Sequence, residues 1–334
     1  MTQASEVAVA MDWGGTWIRV GVLDRDGKIL WQDRVGHARG TGKDELLGLA
    51  EGLLREAIDW CGSRTVMGVG IAIAGPVDSE TGTLYQPPNL YVLDGVSLKS
   101  LWETSLGYPV LVGNDANLAA LGEFYLGAGR EAAKGGTPPG TLVYLTISTG
   151  IGGGVIERGE MFLGAHGLAA EIGHMCIDAS DSAPECQCGA RGCLESMASG
   201  TAIASITKER IARGDFPDSS LAAESDSLTS ATVLQAAGRG DALAVSVLDG
   251  VVFALSVGLT NVLHLYNPDL VVLGGGVTLG LVELDMLPRI EEMIKGRAMS
   301  EFHKEFRLVA SHLGDDPGMV GAATLVWQNA QAGG

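Results

Sequence analysis

Val7-Ala8-Val9-Ala10-Met11-Asp12-Trp13-Gly14-Gly15-Thr16 is an apolar run that meets a carboxylate and then breaks at two glycines. A weakly alternating segment, 18–23, follows, then Asp24-Arg25-Asp26-Gly27 as a tight turn, then a return segment, 29–34. The order reads strand, glycine turn, strand, hairpin, strand. The same plan recurs at Leu142-Val143-Tyr144-Leu145-Thr146-Ile147-Ser148, which runs into Thr149-Gly150-Ile151-Gly152-Gly153-Gly154. A third strand, Leu270-Val271-Val272-Leu273, ends in Gly274-Gly275-Gly276 ahead of a helix. Strands that end in Gly/Thr turns, in two halves of the chain, imply a duplicated α/β core with a ligand cleft between two lobes.

The intervening chain fits this plan. Residues 43–61 carry helical periodicity, with Leu46, Leu49, Leu53 and Ala57 on one face. Residues 66–74 and 110–112 read as strands that end at Gly75-Pro76 and Gly113-Asn114-Asp115, and 117–127 reads as a helix. The segment 131–140 is expected to be a surface loop and 215–230 an exposed polar stretch. Residues 250–265 are apolar but contain Asn261 and His264, so a buried helix is expected there rather than a membrane span.

Composition sets the bounds. A chain of 334 residues is too long for one ordinary core. Its 49 glycines, many clustered, suit loops that approach a ligand closely. A formal charge of −18 and 5% aromatic content argue against nucleic-acid binding and base stacking. With few lysines, the charge of a phosphorylated ligand has to be met by backbone N–H groups, helix N-termini and a divalent cation. The start of the chain lacks the basic region and the apolar length of a signal peptide, so a cytoplasmic protein with no membrane partner is expected.

Several residues carry chemistry. Asp12 is placed to hold Mg²⁺ through water beside phosphates cradled by the glycine turns. Asp115 opens a helix after a strand, where it acts either as the base for a substrate hydroxyl or as the helix cap. Asn89, in Pro87-Pro88-Asn89-Leu90, is a sugar ligand or a turn residue. Cys186-Gln187-Cys188-Gly189-Ala190-Arg191-Gly192-Cys193-Leu194-Glu195 packs three cysteines into eight residues, which points to zinc rather than a disulfide. His174, in Glu171-Ile172-Gly173-His174, and Cys176 compete for the fourth ligand position. Glu171 and His174 are also suited to vicinal hydroxyls, and Glu195 either reaches the same pocket or is a surface charge.

Taken together, these motifs resemble the ROK family of sugar kinases and repressors, within the actin-like and hexokinase-like ATPase superfamily. The likeness runs from Asp12 to Gly314-Asp315-Asp316-Pro317-Gly318-Met319-Val320-Gly321-Ala322-Ala323. It includes Ala74-Gly75-Pro76-Val77-Asp78 and Asn114-Asp115-Ala116-Asn117. The resemblance implies an α/β, two-lobed actin-like ATPase (ribonuclease H-like) fold with the active site in the cleft. A small lobe of residues 1–114 would be completed by a C-terminal helix at about 318–334, and 115–317 would form the large lobe with its zinc-binding loop. It further implies that Asp115 is the catalytic base and that Gly75, Asn89, Asn114, Glu171, His174 and Glu195 hold the sugar. Asp12, Gly14, Gly15, Thr16, Thr149, Gly150, Gly274, Gly275 and Gly276 would bind ATP with Mg²⁺. His174, Cys186, Cys188 and Cys193 would hold a structural Zn²⁺ that stiffens the sugar-binding loop, which decides for His174 over Cys176.

Repressors of the family carry a DNA-binding segment before the first phosphate loop, whereas eleven residues precede Asp12, so a kinase is expected. The cysteine run lacks the histidine of the fructokinase-like branch and is similar to that of the glucokinase branch, as is Pro88-Asn89-Leu90. The expected reaction is ATP-dependent phosphorylation of a hexose, glucose first, by a dimer or tetramer. Kinases of N-acetylmannosamine, mannose or allose, and a non-catalytic sugar sensor, are the alternatives.

Overall fold

A computed structural model describes residues 5–332. The chain runs β1 (Glu6–Trp13), β2 (Trp17–Leu23), β3 (Ile29–Gly36), α1 (Lys43–Cys61), β4 (Thr65–Ile73), a small ribbon of β5 (Val77–Asp78) and β6 (Thr83–Leu84), α2 (Leu98–Leu106), β7 (Val110–Asn114), α3 (Asp115–Tyr125) and α4 (Ala128–Ala133). Then come β8 (Thr141–Ile147), β9 (Ile151–Glu157), β10 (Glu160–Met161), α5 (Leu194–Ala198), α6 (Gly200–Ala212), α7 (Ser230–Gly238) and α8 (Ala242–Tyr266). The last elements are β11 (Leu270–Gly274), α9 (Gly276–Glu283), α10 (Leu287–Arg297), β12 (Arg307–Ala310) and α11 (Pro317–Ala332).

There are two five-stranded sheets, ordered β3-β2-β1-β4-β7 and β10-β9-β8-β11-β12. In the first, β3, β2 and β1 are antiparallel, and β4 and β7 add on in parallel. In the second, β9 and β10 are antiparallel while β8, β11 and β12 are parallel. The order is the same in both, so the core is duplicated.

The first sheet shows why its sequence folds this way. Alternate residues of a strand point to opposite faces. Val7, Val9, Met11, Trp13, Ile71 and Ile73 are fully buried and form one core with Leu46, Ala50, Leu54 and Ala57 of α1. The other face is lined with small residues. A Cβ at Gly70 would run into the backbone of Ala322, and one at Gly68 would lie 3.3 Å from Val326, so α11 comes close only because these side chains are missing. Gly122 of α3 and Gly321 of α11 let those two helices approach in the same way.

Two compact units result. Unit 1 holds the described residues up to Pro138, Gly154–Ala169, and those from His312 onward; unit 2 holds Pro139–Gly153 and Ala170–Ser311. The chain crosses from unit 2 to unit 1 inside β9. The first division falls at Pro138 rather than at 114, because α3 packs against α11 and stays with the first sheet. Residues 333 and 334 of the expected terminal helix lie outside the described residues.

Most expected elements form, with three differences. The helix expected over 117–127 starts at Asp115, because Asn114 caps it. Helix α4 takes the first part of the expected 131–140 loop. Residues 174–178 are not a strand; Ile172–His174 is a 3₁₀ turn, and only an isolated bridge joins Cys176 to Cys193. The expected buried helix is α8, capped by Asp241, with Val251, Val252, Leu255, Leu259 and Leu263 buried against unit 2. By length and composition α8 is apolar enough to cross a membrane, and most of it is buried inside unit 2.

Candidate active site

In unit 1 the β1–β2 turn is held by its own strands and by α11. Asp12, at the end of β1, forms an ion pair with Arg19 of β2. Arg19 also reaches Asp316 at 3.1 Å and donates to the Asp315 carbonyl at 2.8 Å. Burial raises the Asp316 carboxyl above its usual range; Arg19 opposes this, and Asp315 and Asp12 add to it. The first turn of α11 stands beside Asp12, where a Cβ at Gly318 would lie 3.4 Å from the carboxyl carbon. The Gly14 N–H donates to the Trp17 carbonyl at 3.0 Å, Thr16 is exposed, and His37 packs its ring nitrogen 3.1 Å from the Gly14 carbonyl.

Asn89 sits against this turn. Its left-handed backbone, φ 63°, follows the two prolines, and a Cβ on Gly15 would stand 3.2 Å from the Asn89 Cβ. Gly75 has φ 114°, and a side chain there would strike Pro87 and Pro88, so glycine is required. The Asn114 amide donates to the Gly75 carbonyl at 3.3 Å, while its oxygen accepts from Ala116 and Asn117 N–H groups at 3.0 and 3.1 Å. Asn114 is thus the cap of α3. Asp115, half-buried at the first helical position, accepts from the Ala116 N–H at 2.8 Å.

In unit 2 a second cluster forms. Ligand atoms of His174, Cys186, Cys188 and Cys193 all lie within 4.8 Å of one another. Cys186 Sγ is 3.7 Å from His174 Nδ1, and Cys188 Sγ is 3.7 Å from Cys193 Sγ. A disulfide would bring sulfurs to about 2.05 Å. A tetrahedral zinc with bonds of about 2.3 Å would set them about 3.8 Å apart, so the donor set fits such an ion. Burial and the neighbouring thiols push Cys193 up to about 12, so a cation is needed to hold it as thiolate. Cys176 is exposed and stands outside the group.

This cluster abuts the β8–β9 turn through Glu195. One Glu195 oxygen accepts from the Ile151 N–H at 2.8 Å, beside Gly150, and the other lies 3.8 Å from Cys186 Sγ. A Cβ on Gly150 would collide with this carboxylate. Glu171 retains exposed surface, yet desolvation of its carboxyl raises it above the ordinary range; His174 opposes the shift and Glu195 adds to it.

Thr149 and Gly276 meet at another feature, a cleft of about 570 Å³ lined also by Thr201, Lys208, Thr229 and Val277. The N-termini of α6, α7 and α9 all contribute to it. A side chain at Gly275, φ 87°, would strike the Ile147 backbone, and one at Gly274 would strike the Tyr144 ring. Only Gly276 of the three has open space around its Cα. Arg19 and the α6 residues of the cleft were not singled out from the sequence. The only signal for α6 is the spacing of Gly200, Thr201, Ala204, Ser205 and Lys208 on one helical face.

Two like-ordered sheets, each with a glycine hairpin, make up the actin-like ATPase fold. The chain belongs to the ROK family, whose model matches residues 8–329. It is 34% identical to a glucokinase of Halalkalibacterium halodurans over 96% of this chain and 94% of that one. A ROK family glucokinase from Streptomyces griseus, solved in complex with glucose and AMPPNP, superposes with a TM-score of 0.78 at 30% identity, covering 96% of this chain and 99% of that one. A ROK family transcriptional regulator, a homologue of the E. coli MLC protein, superposes with a TM-score of 0.84 at 26% identity, covering 98% of this chain and 79% of that one.

Proposed function

We propose that this chain transfers the γ-phosphate of ATP to a hexose, glucose at its 6-hydroxyl. One observation carries the reading: Asn114 takes the cap position of α3 and accepts from the Ala116 and Asn117 N–H groups, which leaves Asp115 half-buried at the first helical position directly after it. Asp115 takes the hydroxyl proton as that oxygen bonds to the γ-phosphorus and the bond to the bridging oxygen of ADP breaks. Asn89, Asn114, Glu171, His174 and Glu195 bind the sugar hydroxyls, while Gly75 keeps the Asn89 loop close.

The turns at Gly14-Gly15-Thr16 and Thr149-Gly150, with Gly276 at the start of α9, offer N–H groups to the phosphates. Bound Mg²⁺ supplies charge neutralisation to the triphosphate, and Asp12 is the carboxylate that would hold it through water. His174, Cys186, Cys188 and Cys193 would hold zinc, which fixes the loop that carries Glu171 and Glu195. Among the superposed structures, the 30% identity to a glucokinase, against 26% to the regulator, supports the kinase reading.

The test is ATP-dependent ADP production with glucose, mannose, fructose, allose, N-acetylglucosamine and N-acetylmannosamine, with Asp115→Asn as control. Glucose is expected to lead. The variant should lose about 10³-fold or more in kcat and keep sugar affinity within about tenfold. Another preferred sugar changes the substrate and keeps the mechanism. Sugar binding without turnover of any sugar would overturn the catalytic reading in favour of a sensor.

A further inference from the structure

Of the five cysteines, Cys61 is buried in the core of unit 1 and three join His174 in the cluster. Cys176 is left over. It is exposed, and its thiol donates to the Asp178 carbonyl at 3.4 Å. The backbone sets it opposite Cys193, with which it forms an isolated antiparallel bridge. The Leu194 N–H donates to the Met175 carbonyl at 3.0 Å, and the Ile177 N–H donates to the Gly192 carbonyl at 2.8 Å. These bonds flank the two cysteines, which are therefore a non-hydrogen-bonded pair, with Cα atoms about 4.5 Å apart and side chains on one face. A disulfide spans Cα separations of about 4.4–6.8 Å, so the pair falls inside that range. Gly192 lets the two segments meet, because a Cβ there would run into the Asp178 carbonyl oxygen. What remains is a turn of the side chains about χ1, which takes nanoseconds or less in an exposed residue such as Cys176.

We propose that Cys176 is a site of oxidative modification, a thiol that reacts with peroxide and closes a reversible disulfide onto the zinc ligand Cys193. The inference rests on the proposed zinc site. The sulfurs of Cys186, Cys188 and Cys193 are engaged by the metal, whereas that of Cys176 is free and open to solvent. In the first step the Cys176 sulfur attacks hydrogen peroxide. The O–O bond breaks, the sulfur is oxidised by two electrons to a sulfenic acid, and the thiol proton leaves with the second oxygen as water. In the second step the Cys193 sulfur leaves the metal and attacks the Cys176 sulfur. The S–S bond forms, the S–O bond breaks, and hydroxide departs to be protonated by solvent. Three ligands then remain for the metal in place of four, and its affinity falls. Cys193 is the residue at the N-cap of α5, two positions before Glu195, so the change loosens the segment that carries the Glu195 carboxylate to the Ile151 N–H. Oxidation would thus lower hexose affinity through the clamp, and a thiol reductant would reverse it.

The experiment treats the intact, metal-loaded chain with a small excess of hydrogen peroxide and compares wild type with Cys176→Ser and Cys176→Ala. Zinc release is followed with a chromogenic chelator, and disulfides are mapped by non-reducing peptide mass spectrometry. Wild type is expected to release about one zinc per chain and to yield a crosslink that joins Cys176 to Cys193. Dithiothreitol with added zinc should restore both metal content and hexose affinity. Both variants should keep the zinc content and hexose affinity of untreated wild type. Under peroxide they should release zinc at least about tenfold more slowly, since only the metal-bound thiolates are left to react. A crosslink in wild type between Cys188 and Cys193, or between Cys186 and Cys188, with Cys176 unmodified would overturn the inference. So would equal rates of zinc release in all three proteins, or Cys176 carried on to a sulfinic acid with the metal retained. If wild type purifies without zinc, the zinc proposal fails on its own, and the disulfide map of the peroxide-treated chain still decides whether Cys176 pairs with Cys193.

Discussion

The β1–β2 and β8–β9 hairpins occupy the same place in sheets of the same order, yet they obtain their carboxylates differently. The first carries its own: Asp12 is on the strand, and its main partner Arg19 is seven residues away in the same hairpin. The second has no acid in its turn and borrows Glu195 from α5, 44 residues away from the Ile151 N–H that it accepts. The borrowed carboxylate arrives on a segment with little regular structure, folded around His174 and three cysteines. The first hairpin therefore takes its acid from local sequence, and the second takes its acid through a long-range clamp.

The largest effect should come from releasing that clamp. Cys188→Ser, or chelation of the intact protein, is expected to remove about one metal ion per chain and to destabilise unit 2 by about 4 kcal/mol, the range in which losing a metal falls. Proteolysis with mass-spectrometric mapping should then find new cleavage in 171–196 and none in 6–36. Equal loss of protection around β1 and β2 would break the contrast. A protein that purifies without metal, with full activity and an unchanged melting temperature, would remove the zinc proposal altogether.

A smaller effect separates the two carboxylates themselves. Glu195→Ala leaves the Ile151 N–H without its partner and should cost about 1–3 kcal/mol in denaturant unfolding. Asp12→Ala leaves Arg19 with Asp316 and the Asp315 carbonyl. In a partly exposed pair that loss should be about 1 kcal/mol or less. Both variants should lose turnover. If Asp12→Ala proves the more destabilising, the first hairpin is not self-sufficient, and its tie to α11 is the real support.

The same contrast explains what could be read from the sequence. The turn at Asp12, the turn at Thr149 and helix α1 are written in neighbouring residues, and the cysteine spacing brings its three thiols together. Contacts between distant residues left no such trace. Arg19 meets Asp316 across 297 positions, and nothing in either segment signals the pairing. The end of the first unit at Pro138 was hidden because it follows from the packing of α3 on α11, which depends on glycines 122 and 321 facing each other.

The smallest expected effect is a pH dependence at the start of α8 in unit 2. Asp241 caps α8 by accepting from Leu243 and Ala244 N–H groups at 3.1 Å each, and it also accepts from Ser219 and Ser220. Partial burial pushes its carboxyl up, but the hydrogen bonds from Ala244, Ser220 and Ser219 together outweigh it, so the carboxyl titrates below its ordinary range. A carboxyl depressed by folding adds stability that is fully present above the unfolded value of about 3.9 and is lost as pH falls through the folded value. Helix α1 in unit 1 has Gly42 at its cap position with no side-chain acceptor, so it has no such term to lose. Asp241→Asn keeps an acceptor for the cap but cannot titrate. It should cost about 1 kcal/mol or less at pH 7, and the gap to wild type should close as both are unfolded at pH 3. A gap of the same size at both pH values would mean that geometry alone, and not the ionised carboxylate, holds the start of α8.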